Sequence, residues 1–169
     1  MNALVVVFSY HHLNTEKVAQ ACAKTLSATV VHPSEISAET VSPYNLVGFG
    51  SGIYNGQHHP DLLALVDRLS STSTAKAFLF STNGVPARFM NQDAQQAYID
   101  QHHATLREHV HAKGYKIIDE FTCPGYNTNS FLRYLGGLNR HHPDATDLNR
   151  AETFAARLHY LTTTPKVDK

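Results

Sequence analysis

Ala3-Leu4-Val5-Val6-Val7-Phe8, followed by Ser9-Tyr10-His11-His12-Leu13-Asn14-Thr15, decides how this chain is read. The first six residues are apolar at every position and rich in β-branched side chains. A strand buried on both faces has that pattern, as in a parallel sheet. The next seven are polar and lead into helix formers from Asn14 to Ser27, where Val18, Cys22 and Leu26 recur every fourth place. Strand, polar loop and amphipathic helix in that order begin a strand–helix–strand unit.

The alternation continues outward. Ala28 to His32, Leu46 to Gly50, Ala75 to Phe80 and Tyr115 to Phe121 read as four more strands. Leu62, Leu65, Val66 and Leu69 form a helical stripe that Pro60 is placed to open. Gln92 to Lys113 is polar but helix-compatible, with Gly114 as its stop. Leu148, Ala151, Ala155, Leu158 and Leu161 mark a closing helix, and Ser34 to Pro43 is left without one. Repeated strand and helix predict a three-layer α/β/α sandwich around a five-stranded parallel sheet. The expected domain is 1–162, with 163–169 as a flexible tail.

Composition narrows the function. The chain has 169 residues, 14 Lys plus Arg against 14 Asp plus Glu, and only 17% charged residues. A formal charge of zero excludes a broad electrostatic footprint for nucleic acid. The longest apolar run, Ala3 to Phe8, is too short to span a bilayer, and no basic leader precedes it. Cys22 and Cys123 make neither a disulfide framework nor a CxxC motif. The expectation is a soluble, cytoplasmic protein that binds neither nucleic acid nor membrane.

Open parallel sheets bind ligands beyond the carboxyl ends of their strands. The segments that follow the strands there are Ser9 to Thr15, Ser51 to Gly56, Ser81 to Gly84 and Thr122 to Thr128, all rich in hydroxyls, amides and glycine. The first enters a helix at Asn14-Thr15. Unpaired N–H groups and the helix dipole suit a phosphate there, with Ser9, Asn14 and Thr15 adding neutral donors and His11 and His12 adding more. The plainer alternative is that Asn14 or Thr15 only caps the helix.

The opening VVVFSYHHLNTEKVA, the segment NLVGFGSGIYNGQHH and the stretch AFLFSTNG resemble the flavodoxin-like family of FMN-binding proteins. The resemblance runs from about Asn2 to Leu161. It implies strand order 2-1-3-4-5, one FMN, and redox chemistry at the flavin. Ser9, Asn14 and Thr15 match the ends of the family's phosphate loop. His11 and His12 fill its middle, where this chain has no glycine and one extra residue. By the same resemblance, Ser51, Gly52, Ile53, Tyr54 and Asn55 and then Ser81, Thr82, Asn83 and Gly84 hold the isoalloxazine ring. Tyr54 is the first candidate to stack on it, with Phe89 and Tyr126 behind. Gly52 or Gly56 would supply backbone freedom beside the ring. The segment after Cys123 would cover part of it.

The chain holds 12 histidines, including the pairs His11-His12, His58-His59, His102-His103 and His141-His142. No HExxH or Cys/His zinc spacing accompanies them. They read as polar lining of a ligand mouth, with His102, His103, His109 and His111 as solvated helix residues and no metal site expected. Cys123 reads as a small buried strand-end residue and Cys22 as core.

The expected function is electron transfer through bound FMN, with a redox partner protein or a small-molecule donor or acceptor. The alternatives are an NAD(P)H-dependent flavin reductase of quinones or similar small acceptors, and a fold relative that has lost FMN.

Overall fold

The computed structural model describes residues 1–129, 132, 134 and 136–163. Its strands are β1 (Ala3–Phe8), β2 (Thr29–Val31), β3 (Leu46–Tyr54), β4 (Gln57–His58), β5 (Lys76–Asn83) and β6 (Lys116–Pro124). Its helices are α1 (Asn14–Leu26), α2 (Ala38–Val41), α3 (Pro60–Arg68), α4 (Gln92–His102), α5 (Ala104–Ala112) and α6 (Ala145–Thr163). The long strands are parallel in the order β2-β1-β3-β5-β6, the expected five-stranded arrangement. Short β4 turns back antiparallel on the end of β3.

Alternating residues feed two cores. Val5, Val7, Phe78 and Phe80 pack with Val18, Cys22 and Leu26 of α1 and Phe154 and Leu158 of α6. Leu4, Val6, Phe49 and Leu79 pack with Leu62, Leu65 and Val66 of α3 and Leu106 and Val110 of α5. Both cores need helices on both faces, which is why Ala3 to Phe8 of β1, Leu46 to Gly50 of β3 and Ala77 to Phe80 of β5 are apolar at every position. Pro60 opens α3 as expected, and His59 caps it by accepting from the Asp61 N–H. None of the helices among the described residues is long and apolar enough to cross a membrane.

Several boundaries depart from the sequence reading. β3, β5 and β6 continue past their apolar runs, so Ser51 to Tyr54, Ser81 to Asn83 and Thr122 to Pro124 are strand rather than loop. Hydroxyl and amide side chains meet each other across these ends, which lets the ladder continue without an apolar face. Asn55 and Gly56, at φ 51° and 85°, make a tight reversal that starts β4. An Asn-Gly pair favours such positive-φ hairpin turns. A four-residue helix, α2, capped by Ser37, occupies part of the segment left without one. The single helix expected from Gln92 to Lys113 is two, broken at His103, which closes α4 and opens α5. Of the expected tail, Thr163 ends α6, and 164–169 lie outside the described residues.

Gly114 ends α5 as the sequence predicts, at φ +81°. A Cβ there would lie 1.9 Å from the Thr72 carbonyl oxygen, against backbone pinned by the Thr72 N–H bond to Lys113 O. Gly114→Ala therefore adds a left-handed strain and a backbone clash. It should cost about 2 kcal/mol in urea unfolding. An unchanged midpoint would contradict this close approach.

Candidate functional site

A pocket opens at the carboxyl edge of the sheet between the starts of α1 and the ends of β3, β5 and β6. Its cavity volume is about 70 Å³, and it is open to solvent on one side. From the first loop it takes Ser9, His11, Asn14 and Thr15. From β3 it takes Gly52, Ile53 and Tyr54, and from the end of β5 Thr82, Asn83 and Gly84.

The start of α1 is open. Leu13 occupies the cap position in a left-handed conformation (φ 53°, ψ 31°), and no side chain caps the helix. The first helical bond is Lys17 N–H to Leu13 O at 3.1 Å. The N–H groups before it are left for a ligand or water. His12 is also left-handed, at φ 57°. Two such residues in succession are strained for side chains with a Cβ. The strain is held from across the pocket: His12 Nε2 lies 2.8 Å from Thr128 Oγ1, and its ring packs on Tyr126 at 4.3 Å.

Asn14 carries the most informative atom. Its Nδ2 donates to Tyr126 O at 2.8 Å, which fixes the amide orientation. Its Oδ1 is then a buried acceptor with no donor among the described residues. Thr15 Oγ1 and Thr82 Oγ1 lie 2.8 Å apart and tie α1 to β5. The pocket thus borders N–H donors at the helix end, and Asn14 beside it keeps a buried acceptor without a partner among the described residues.

The loop after β6 supplies a further wall, Gly125, Tyr126, Asn127, Thr128 and Asn129, of which the sequence named only Tyr126 as a weaker candidate to stack on the ring. Its glycine and amide content is the signal that placed it at this edge. Asn127 and Leu138 bridge through paired backbone bonds, and Tyr126 N–H donates to His142 O. The Asn139 side chain accepts from Ala87 N–H and donates to Val85 O, which fastens this excursion to the turn after β5. The Asn127 amide packs directly on Gly84, where a Cβ would lie 2.5 Å from Nδ2.

Four expected residues stand elsewhere. His12 braces the loop from behind. Asn55 sits in the hairpin turn. Ser51 and Ser81 turn their hydroxyls into the protein, away from the pocket, because a strand alternates its side chains and Gly52 and Thr82 take the pocket side. Gly56, whose O lies 2.9 Å from His102 Nδ1, does not line the pocket either. Tyr54 is half-buried, with its ring over Gly52 and edge-on to Phe8 and His59. Burial pushes its hydroxyl pKa up, against a bond to the Tyr10 backbone. Phe89 is exposed beneath Arg88, and the Tyr126 hydroxyl donates to Gly136 O.

The Flavodoxin domain family profile matches residues 5–116. The chain belongs to the flavodoxin domain family. This flavodoxin-domain chain is 39% identical over 155 residues to an uncharacterised protein of Methanocaldococcus jannaschii, covering 92% of this chain and 96% of that one. It is similar to a short-chain flavodoxin associated with a non-canonical PDU bacterial microcompartment, at TM-score 0.67 and 14% identity over 96% of this chain and 100% of that chain. It is similar to oxidised flavodoxin 2 from Bacillus cereus, at TM-score 0.67 and 13% identity over 95% and 99%. It is also similar to the apo form of an NADH:FMN oxidoreductase, at TM-score 0.61 and 17% identity over 94% and 90%. At these identities the solved structures show the fold.

The histidines of this flavodoxin-domain chain divide by environment. His103, expected to be solvated, is fully buried, because the α4–α5 break turns it inward between Glu120 and Ser81. His58 is fully buried as well. His142 accompanies Asp144 and Asp147 at the start of α6, with ligand atoms within 4.8 Å of one another. Those acids already cap the helix: Asp147 N–H donates to Asp144 Oδ1 and Asp144 N–H to Asp147 Oδ2. Cys22 and Cys123 are buried and unpaired, and burial raises both thiols, Cys22 to about 12.

Burial, with His103 nearby, pushes the His58 pKa well below its ordinary value. Burial also lowers that of His103, against the pull of Glu120. Both imidazoles bind a proton less readily when folded than when unfolded, where the ordinary pKa is about 6.5. Stability should therefore fall as pH drops from 6.5 toward 5, each histidine adding up to about 1.4 kcal/mol per pH unit. Urea unfolding at pH 7.5, 6.5 and 5.5 checks this, with His58→Leu expected to flatten the slope. Parallel slopes for the two proteins would contradict neutral burial of His58.

Proposed function

We propose that this protein binds one FMN at the sheet edge and passes electrons through it. The observation that carries this reading is the juxtaposition at the start of α1. Free helical N–H groups suit a phosphate, which only accepts. The neighbouring Asn14 Oδ1 suits a hydroxyl, which donates. Donors and an orphaned acceptor side by side match the phosphate ester of a polyol chain, the part of FMN that joins its ring to its phosphate. The donor set is neutral: among the described residues that line the pocket there is no Lys, Arg, Asp or Glu, and His11 is the one histidine.

In this reading the α1 terminus, Ser9 and Thr15 hold the phosphate, and Asn14 orients the polyol. The Gly52–Tyr54 and Asn83–Gly84 segments border the ring. The loop from Gly125 to Asn129 excludes water from the phosphate side. When bound, the flavin supplies one- or two-electron chemistry. The chain's own contribution is to fix its orientation and surroundings. Two buried, unpaired thiols fit a reducing compartment, which supports a cytoplasmic location.

A second reading, an NAD(P)H-dependent flavin reductase of small acceptors, draws support from charge. A pure carrier that docks on protein partners gains from a strongly charged surface, and this chain has a net charge of zero.

Flavin fluorescence titration tests the primary reading. The protein should take up one FMN per chain. Asn14→Leu and Thr15→Val should each weaken it about tenfold, the worth of a lost hydrogen bond or two. No uptake by the unaltered protein would overturn the reading. NADPH oxidation with a quinone present, on protein loaded with FMN, separates reductase from carrier.

A further inference from the structure

A buried polar row lies behind the pocket, on the opposite face of the sheet. Ser51, Ser81 and Thr122 stand at matching positions on β3, β5 and β6. Two residues earlier on that face, β3 and β5 carry Phe49 and Leu79, ordinary core. The core therefore turns polar only where the strands reach the pocket. His58 from β4 and His103 from the α4–α5 break cover the row, with ring centroids 4.7 Å apart.

The chemistry of the groups fixes the direction of every bond. Burial opposes the charge on Glu120, yet the bonds from His103 and Arg107 hold its pKa below the ordinary carboxylate range. A carboxylate only accepts, so His103 Nδ1 donates to Glu120 Oε2 at 2.8 Å. Neutral His103 then accepts at Nε2 from Ser81 Oγ at 2.9 Å. Ser81 in turn accepts from Thr122 Oγ1 at 2.9 Å, and Thr122 accepts from Asn83 Nδ2 at 3.1 Å. Asn83 uses its Oδ1 to hold the Val85 N–H at 3.0 Å.

A second branch runs to β3. Ser51 Oγ donates to Gly52 O at 2.7 Å, so it accepts from His58 Nδ1 at 3.0 Å and from His59 N–H at 3.0 Å. This assigns the proton of His58 to Nδ1 and leaves Nε2 a buried acceptor without a partner among the described residues. A polar layer with an orphaned nitrogen is a poor way to fill a core. Its two branches end at Gly52 and at Asn83, and both line the pocket.

We propose that the buried His58–His103 pair is a positioning device that holds, through Ser51 and Ser81, the Gly52 carbonyl and the Asn83–Val85 turn as the two backbone walls that meet the flavin ring, and so sets how the protein discriminates oxidised from reduced flavin. This rests on the FMN reading above. The groups facing the pair are Glu120 from β6, Arg107 from α5 and His102 from α4. None of these lines the pocket, so the pair acts through backbone and not by touching the ligand.

Ser51→Ala and Ser81→Ala each cut one branch by a single oxygen, while His58→Leu and His103→Leu remove the imidazole at the head of each. On protein loaded with FMN, each serine variant should change the ratio of affinities for reduced and oxidised FMN about tenfold, read as a midpoint shift of ~30 mV for a two-electron couple. The FMN-to-riboflavin affinity ratio should stay unchanged, because the phosphate end is untouched. On the protein without flavin, backbone amide NMR shifts report the walls directly. Ser81→Ala should move Asn83, Gly84 and Val85, and Ser51→Ala should move Gly52 and Ile53. His103→Leu, or His103→Asn if the leucine variant does not fold, should move the Asn83 to Val85 set, and His58→Leu the Gly52 and Ile53 set. Unchanged midpoints in the serine variants, or amide shifts in the His103 variants confined to α4 and α5, would overturn the proposal. Failure of the unaltered protein to take up FMN would instead overturn the FMN reading, and the amide shifts still decide the positioning.

Discussion

The first turn of α1 leaves N–H groups that something must satisfy, and the chain withholds every local side chain that could do it. Leu13 sits at the cap in a left-handed conformation, where a Ser, Asp or Asn would ordinarily accept. The strain of consecutive left-handed His12 and Leu13 is tolerated because Thr128 and Tyr126 hold His12 from the far wall. An open, dipole-bearing helix end is thus built into the sheet edge, and the rest of the site is arranged around it. Thr15 is anchored to Thr82, Asn14 to Tyr126, and the β6 loop to the β5 turn through Asn139.

The sheet divides the polar work between its faces. At the carboxyl ends of the central strands, Gly52 and Thr82 turn toward the pocket, while Ser51 and Ser81 turn toward α4 and α5. One set lines the pocket. The other set bonds to the buried His58 and His103 behind it. A single strand can serve both ends only because its period is two, so the functional and supporting residues come as adjacent pairs in the sequence.

That pairing explains how far the sequence could be read. The all-apolar run Ala3 to Phe8 gave a strand with the observed bounds, since burial on both faces leaves no competing pattern. The polar ends of β3, β5 and β6 looked like loops because hydroxyls and amides break the hydrophobic period while still pairing in the ladder. Ser9, Asn14, Thr15, Gly52, Tyr54, Asn83 and Gly84 could be placed at the edge from topology alone. Which way Ser51 and Ser81 point depends on strand register, which composition does not carry. His103 was hidden for a different reason: on a polar helix its surroundings predict exposure, and only a break in that helix, driven by bonds to Glu120 and Ser81 from distant β6 and β5, turns it inward. The Asn55-Gly56 pair carries a hairpin signal in its turn residues, but the sequence reading took both as part of a ring-binding loop.

The account stands on the start of α1 as the seat of a phosphate. Calorimetric titration of the unaltered protein with FMN and, separately, with riboflavin isolates that one group, since the two ligands share ring and polyol. The account predicts FMN at least about a hundredfold tighter, the ~2.7 kcal/mol expected of a phosphate held by several backbone donors. Equal affinities for the two would contradict it, and would leave the open helix end without the ligand that this geometry calls for.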